Sequence, residues 1–320
     1  MSRSHDVITV GTATRDVFLP LAGGIMRVEP GAKADCGSPI FSSGGGAVNA
    51  AVTFARQGFD VATACRIGSD SSGDDILRDL EREGVTARIV RDLKRATGYA
   101  AIALYPDGER SVIAHRGAAD GLMAKDAAWG KAAPEWAYVA PGHIAPAAIG
   151  AVMKAARASK TNVAFNPSSW YLDNESAWLR SVLPQIAVFM VNRSEAARFL
   201  GVPPEDERGV FRRLDALTPG IAVMTDGPRG AWVSDGKKIY HAGIFANERV
   251  VDRTGAGDAF GSGFVAGLMG TGDVMQAIRL ASANAAANVE RVGAHAGVLT
   301  LREFGRDARW KNLQVTSTPL

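Results

Sequence analysis

The sequence predicts an α/β chain: three layers, with helices on both faces of a mostly parallel central sheet, plus a small inserted second sheet. Three observations predict it. Short apolar runs alternate with stretches whose apolar residues recur three and four apart. Glycine-rich loops twice open straight into a helix, at 42–49 and at 254–257. Between them, residues 97–115 interrupt the alternation with the pattern of a β-hairpin.

Taken in order, residues 7–10 form a short buried strand ending at Gly11, and the alternating stretch 13–19, which carries Asp16, is extended. Residues 20–40 are rich in glycine and proline and hold little periodicity. Ala47, Ala50, Ala51, Phe54 and Ala55 make the apolar face of a helix that Gly58 stops. Strand 61–67 follows, then a helix marked by Ile76, Leu77 and Leu80 and closed by Gly84. Residues 99–105 and 110–114 pair around the turn Pro106-Asp107-Gly108. With extended segments near 13–19 and 33–41 they make the small separate sheet.

From residue 136 the alternation resumes, with strands over 137–140, 162–166, 188–192 and 221–225. The helices between them cover 147–158, 175–182, a turn through Ala196, Phe199 and Leu200 stopped by Gly201, and 206–217. A second hairpin, 231–234 with 238–241, turns at Asp235-Gly236. The chain closes with a helix striped by Phe260, Phe264 and Leu268 and an alanine-rich helix over 274–292.

Composition narrows the function classes. With 320 residues, 47% of them apolar, the chain can build a sizeable core. Its net charge is +3, from 36 basic and 33 acidic residues that are well mixed, so no basic stripe points to nucleic acid. Cys36 and Cys65 fit no metal or redox spacing and read as free thiols in a reducing compartment. No apolar run approaches a membrane span and no apolar signal segment precedes the first strand, so a cytoplasmic protein is expected.

The stretch Asp252-Arg253-Thr254-Gly255-Ala256-Gly257-Asp258 carries the strongest chemical signal. Small residues there let the backbone turn tightly and aim successive N–H groups outward, where the dipole of the following helix adds positive potential. That is an anion cradle. Asp258, in the first helical turn, is either a charge–dipole cap or a catalytic base beside a phosphate. Gly261, Gly263 and Gly267 inside the helix each cost roughly 1 kcal/mol against alanine, which implies close packing or close approach of a ligand.

Two signatures stand together: Gly44-Gly45-Gly46-Ala47-Val48-Asn49, continued by Gly58 and Gly68, and Asp252 to Phe260. In this order and separation they resemble the ribokinase-like (PfkB) family of carbohydrate kinases, over roughly residues 5–300. The resemblance implies one kinase domain over 1–320, with lid segments at about 12–42 and 96–117 forming a sheet over the sugar. It implies that Gly255, Ala256 and Gly257 form the anion hole for a migrating phosphoryl group and that Asp258 takes the proton from the acceptor hydroxyl. Such chemistry asks mainly for positioning and charge neutralisation.

On the nucleotide side the resemblance assigns Asn192 and Glu195 of Asn192-Arg193-Ser194-Glu195, with Glu195 acting on Mg²⁺ through water. A plain helix cap is the rival reading of that motif. Thr225, Gly227 and Gly230 match the family's nucleotide loop, and Ser282 or Asn284 a position beside the purine. Asp252 and Thr254 fall near a monovalent-cation (K⁺) loop of some members. On the acceptor side Asp16, Gly44, Gly45 and Asn49 match positions that bind sugar hydroxyls, which a carboxylate accepts well. His143 and Asn166 are weaker candidates. The stretch 164–168 lacks the charged residues with which some relatives bind sugar acids.

The expected activity is ATP- and Mg²⁺-dependent phosphorylation of a hydroxymethyl group on a neutral ribose- or fructose-type sugar. The alternative acceptor is a ribonucleoside, with Phe18, Phe41 or Tyr99 as a wall for its base. A sugar-binding regulator without catalysis is a third reading, against which the intact Asp258 loop argues. A dinucleotide oxidoreductase is disfavoured, because the first strand is not followed by Gly-x-Gly-x-x-Gly. Exposed lid edges, together with the resemblance, suggest a homodimer through the lid.

Overall fold

The computed structural model describes residues 5–21, 31, 33–127, 129, 133–246 and 249–320. Much of the expected lid segment 12–42, namely 22–30 and 32, lies outside the described residues, as do Asn247 and Glu248. The chain opens with β1 (Val7–Gly11), β2 (Thr14–Pro20), β3 (Ile40–Gly44), α1 (Gly46–Arg56), β4 (Val61–Gly68), α2 (Ser71–Arg82), β5 (Thr86–Asp92), β6 (Gly98–Leu104) and β7 (Arg110–His115). Then come α3 (Ala124–Ala127), β8 (Trp136–Ala140), α4 (Pro146–Ser159), β9 (Asn162–Phe165), α5 (Ser169–Asn174), α6 (Ser176–Val182), β10 (Val188–Asn192), α7 (Arg193–Leu200) and α8 (Glu207–Leu217). The last third holds β11 (Ile221–Thr225), β12 (Ala231–Ser234), β13 (Lys238–Ala242), α9 (Ala256–Thr271), α10 (Val274–Val289), α11 (Leu301–Arg306) and β14 (Val315–Pro319).

The large sheet has the order β14-β13-β12-β11-β10-β9-β8-β1-β4-β5. From β11 to β5 every pairing is parallel, and the β12–β14 edge is antiparallel. Its central strands are buried on both faces, which is why they read as unbroken apolar runs. One face packs on α1, α2, α9 and α10 through Phe54, Leu80, Phe264 and Ile278. The other packs on α4, α6, α7 and α8 through Val152, Leu179, Phe199 and Phe211. Among the described residues no helix is long and apolar enough to cross a membrane.

The small sheet has the order β3-β2-β6-β7, with β2 parallel to β6 and the other pairs antiparallel. The hairpin is where the alternation put it. The extended segment expected at 33–41 is mostly not strand: Cys36 makes one bridge to Leu21, and the strand proper starts at Ile40. Strand β5 went unforeseen because its Thr-Ala-Arg-Ile-Val-Arg-Asp run is largely polar and mostly exposed at a sheet edge. The alanine-rich helix ends at Val289 rather than 292, where its carbonyl accepts the N–H groups of Val251 and Asp252.

The glycines inside α9 mark packing. A methyl on Gly267 would stand 2.7 Å from the Ala277 backbone, and one on Gly263 would stand 3.1 Å from that of Ala281. Both helices therefore touch at backbone distance. Gly261 meets the Tyr138 hydroxyl and the Met190 sulfur in the same way.

Candidate active site

The strand order reverses between β1 and β8, with β4 and β5 on one side and β9 to β11 on the other. Crevices at the carboxyl ends of parallel strands near such a point are where ligands bind in open α/β sheets. Asn166, Asn192 and Thr225 all stand at those ends, after or closing β9, β10 and β11. Two clefts meet there. One, of about 260 Å³, is lined by Thr225, Gly227, Gly230, Arg253, Gly257 and Ser282. The other, of about 190 Å³, is lined by Asn166, Asn192, Glu195, Thr225, Gly257 and Asp258. Thr225, Gly257 and Phe260 belong to both.

Gly255 caps α9 in the left-handed region, at φ 74°, and a side chain there would meet the Ala294 carbonyl oxygen at 1.9 Å. Only glycine satisfies both conditions. The turn brings Ala256, Gly257 and Asp258 to the start of the helix, where backbone N–H groups lack intrahelical partners.

Asp258 is held from two sides. Asn49 Nδ2 of α1 donates to Oδ2 at 2.8 Å, and Asn166 Nδ2 donates to Oδ1 at 3.3 Å. Behind them, Ser262 Oγ donates to the Asp258 carbonyl at 2.6 Å and lies within hydrogen-bond distance, 2.8 Å, of Thr53 Oγ1, which ties α9 to α1. Loss of water around the carboxylate pushes its pKa up, and the Asn49 hydrogen bond partly offsets the rise. When ionised, a carboxylate so placed can accept a proton, and the helix terminus beside it can hold an anion. Buried Tyr138, against which Asn166 also rests, has its hydroxyl pKa raised by burial and by Asp258.

Asp16 and Gly44 are in contact: a methyl on Gly44 would stand 2.0 Å from Asp16 Oδ2. Thr14 Oγ1 donates to Asp16 Oδ1 at 2.8 Å. Burial raises the Asp16 pKa to about 6, against the opposing Thr14 hydrogen bond and Arg15 charge. Gly45, at φ 91°, is the N-cap of the helix that carries Asn49. Strand register places Phe18 on the Asp16 face of the small sheet, in line with Ile40 and Ile102. Phe41 and Tyr99 fall on the opposite face. His143 stacks on Trp170, ring centroids 5.2 Å apart.

Both readings of the Asn192–Glu195 motif hold at once. Asn192 Oδ1 accepts from the Glu195 N–H, Glu195 Oε2 accepts from the Asn192 N–H, and both side chains still line the smaller cleft. Ser169 donates to the remaining Glu195 oxygen. Thr225, Gly227, Gly230 and Ser282 all line the larger cleft, and the Ser282 hydroxyl is buried without a partner. Asn284 is elsewhere: it is fully buried between α9 and α10, where its Oδ1 accepts from Leu299 N–H. Ser282 and Asn284 are two positions apart on one helix and face different ways.

Asp252 is buried, and its two oxygens accept the N–H groups of Thr254 and Gly293. The Thr254 carbonyl accepts from Asn288 Nδ2, while Thr254 Oγ1 is buried without a partner. Sequence reasoning did not single out Arg253, which lines the larger cleft and pairs with Glu109 at the tip of the β6–β7 hairpin. It also missed His295, whose Nδ1 lies 3.1 Å from Asn49 Oδ1. These partners are far apart in sequence, and no local pattern marks them.

A model of the pfkB family of carbohydrate kinases matches residues 4–301. The chain is 28% identical to the ribokinase of Haemophilus influenzae, over 81% of this chain and 85% of that one. It is 27% identical to the adenosine kinase of Saccharomyces cerevisiae, over 71% of each. The crystal structure of ribokinase from Cryptococcus neoformans in complex with ADP is similar at a TM-score of 0.77 and 26% identity, covering 95% of this chain and 99% of that one.

Proposed function

The chain belongs to the pfkB family of carbohydrate kinases, ATP-dependent phosphotransferases that act on a sugar or nucleoside hydroxyl, and from that premise we propose that it phosphorylates a hydroxymethyl group of a neutral ribose- or fructose-type sugar. The observation that carries the reading is Asp258, held by two amides where the two clefts meet and next to the start of α9. The nucleotide takes the larger cleft, with Thr225, Gly227, Gly230 and Ser282 around it and Asn192 toward its phosphates. The acceptor lies between Asp16, Gly44, Gly45 and Asn49, under the small sheet as lid. The whole chain, 1–320, acts as one catalytic unit.

In the reaction the acceptor oxygen bonds to the γ-phosphorus as the bond to the ADP oxygen breaks, and that oxygen keeps the electron pair. The acceptor proton passes to Asp258. N–H groups of the Gly255–Gly257 turn take up the negative charge on the transferring group. Lid closure excludes water, which would compete as acceptor.

Among the described residues no cluster of three or more acidic, histidine or cysteine side chains forms a metal cage. Glu195 and Asn192 therefore suit a Mg²⁺ ion that arrives on the phosphates and keeps its water. When bound, it neutralises phosphate charge. Asp252 also ties the turn before α9 to Gly293: its two oxygens accept the N–H groups of Thr254 and Gly293, and each keeps a lone pair for a monovalent cation beside the unpartnered Thr254 Oγ1.

A panel of pentoses, hexoses and ribonucleosides, scored by ADP release with ATP and Mg²⁺, tests the function. Turnover on a pentose or hexose is the expected result. Preference for a ribonucleoside would favour the alternative, for which the apolar row Ile40–Phe18–Ile102 on the Asp16 face is the supporting observation. No turnover on any compound, with a sugar bound, would leave a sugar-binding regulator.

Acceptor binding should depend on pH. Asp16 accepts two hydroxyls only when ionised, and its pKa is about 6. Acceptor kcat/KM should therefore fall as pH drops through about 6, with a rise in KM. Asp16→Asn should leave a high KM with no such dependence. An unchanged acceptor KM between pH 8 and 5 in the wild type would remove Asp16 from the site.

Phe41 and Ile113, in one register row on the face of the small sheet opposite Asp16, leave apolar area exposed, and we propose that a second copy covers it. Light scattering at micromolar concentration should give a dimer mass, and a monomer would overturn the assignment. The free thiols Cys36 and Cys65 suit a cytoplasmic setting.

A further inference from the structure

Behind Asn49 lies a second buried polar group that the reaction as described does not use. The 293–297 segment after α10 is pinned under the start of α9. Asn288 Nδ2 donates to the carbonyls of Thr254 and Ala294, its Oδ1 accepts from Gly297 N–H, and Gly293 N–H donates to Asp252. Arg56 Nη1 donates to the His295 carbonyl at 3.1 Å and to that of Val298 at 2.9 Å. The backbone of His295 therefore has little freedom, and its ring is buried.

We propose that His295 is a positioning residue for Asp258, acting through Asn49. The proposal rests on the reading of Asp258 as the base. The chain of contacts runs His295 Nδ1 to Asn49 Oδ1 at 3.1 Å, then Asn49 Nδ2 to Asp258 Oδ2 at 2.8 Å. A carboxylate only accepts, so Asn49 must present its NH₂ to Asp258 and its carbonyl to His295. His295 must then donate, which assigns the proton to Nδ1.

The ring is neutral at physiological pH, because burial and the adjacent Arg56 push its pKa down to about 4, against the opposing charges of Glu83 and Asp79 on the α2 side. The titratable group facing Asp258 itself is Tyr138. An amide side chain has two nearly isosteric ends, and a donor behind it selects one. Without that donor the amide is free to turn its carbonyl toward the carboxylate, which disfavours the ionised form and raises the pKa of the base.

The test compares wild type, His295→Leu, which removes the donor, and His295→Asn, which offers an amide N–H near the Nδ1 position. Carbon-13 titration of the Asp258 carboxyl, assigned by its loss in Asp258→Asn, reads the effect without catalysis. His295→Leu should raise that midpoint by about one pH unit, the size of a partial loss of one hydrogen bond to a charged group. It should move the acid limb of kcat upward by the same amount, and His295→Asn should bring both back. A folded His295→Leu protein with the wild-type carboxyl midpoint overturns the proposal, even if Asp258 is the base. If the leucine variant does not fold, nitrogen-15 spectra of the wild type decide: protonation at Nε2 instead of Nδ1 overturns it. Turnover retained in Asp258→Asn would instead defeat the reading of the base, and the carboxyl titration would still decide the role of His295.

Discussion

Asp258→Asn is expected to lower kcat by about 10²- to 10⁴-fold, the usual worth of a positioned base, with little change in nucleotide KM. The amide cannot take the acceptor proton. It also has one oxygen to offer, where Asn49 and Asn166 each donate to one of two. Stability should move the other way. Burial raises the Asp258 pKa in the folded state, so folding favours the neutral form, and the ionised carboxylate at pH 7 is a net cost. That cost disappears as pH falls through the raised folded pKa, and the amide removes it at any pH. The variant should therefore melt no lower than wild type at pH 7, and the gap in Tm should close as pH falls. A large loss of both activity and Tm would mean that Asp258 is mainly a structural cap.

Gly255→Ala should be nearly as damaging by a different route. The new methyl enters a left-handed backbone position and would stand 1.9 Å from the Ala294 carbonyl oxygen, a rigid neighbour, so either the turn or the 293–297 segment must move. Displacing N–H groups from a developing charge costs about 10²- to 10³-fold in kcat. The strain should lower Tm by several degrees. ADP-release kinetics and a melting curve on the same sample check both. Wild-type kcat with a lowered Tm would show that the turn holds the loop together and contributes nothing to transfer.

Much of the fold was legible because its signals are local. Buried parallel strands read as apolar runs, and Gly44–Gly46 and Gly255–Gly257 announce turns that only small residues make. What stayed hidden depends on contacts made across the chain. Strand β5 has a mostly polar surface and exists by pairing with β4. The site followed the same division. Asp16, Asn49 and Asp258 sit in motifs, and the structure sets Asn49 on Asp258 and Asp16 on Gly44. Asn166 looked like a weak candidate because nothing in 162–168 shows that β9 ends opposite α9. His295 carried no signal, being 246 positions from the amide it meets. Ser282 and Asn284 could not be told apart until the packing of α9 on α10 showed which one is sealed between them.

The two-amide clamp on Asp258 bears on what happens at phosphorus. Each carboxylate oxygen accepts an N–H, from Asn49 and from Asn166, and phosphorylation would turn one of the two into an ester oxygen, a far weaker acceptor. A phosphorylated aspartate would have to give up one of those bonds to form. The proposed transfer then has no covalent stop on the protein, and a γ-phosphoryl group made chiral with oxygen isotopes should reach the acceptor with its handedness inverted, as one displacement demands; two displacements through the carboxylate would return it unchanged.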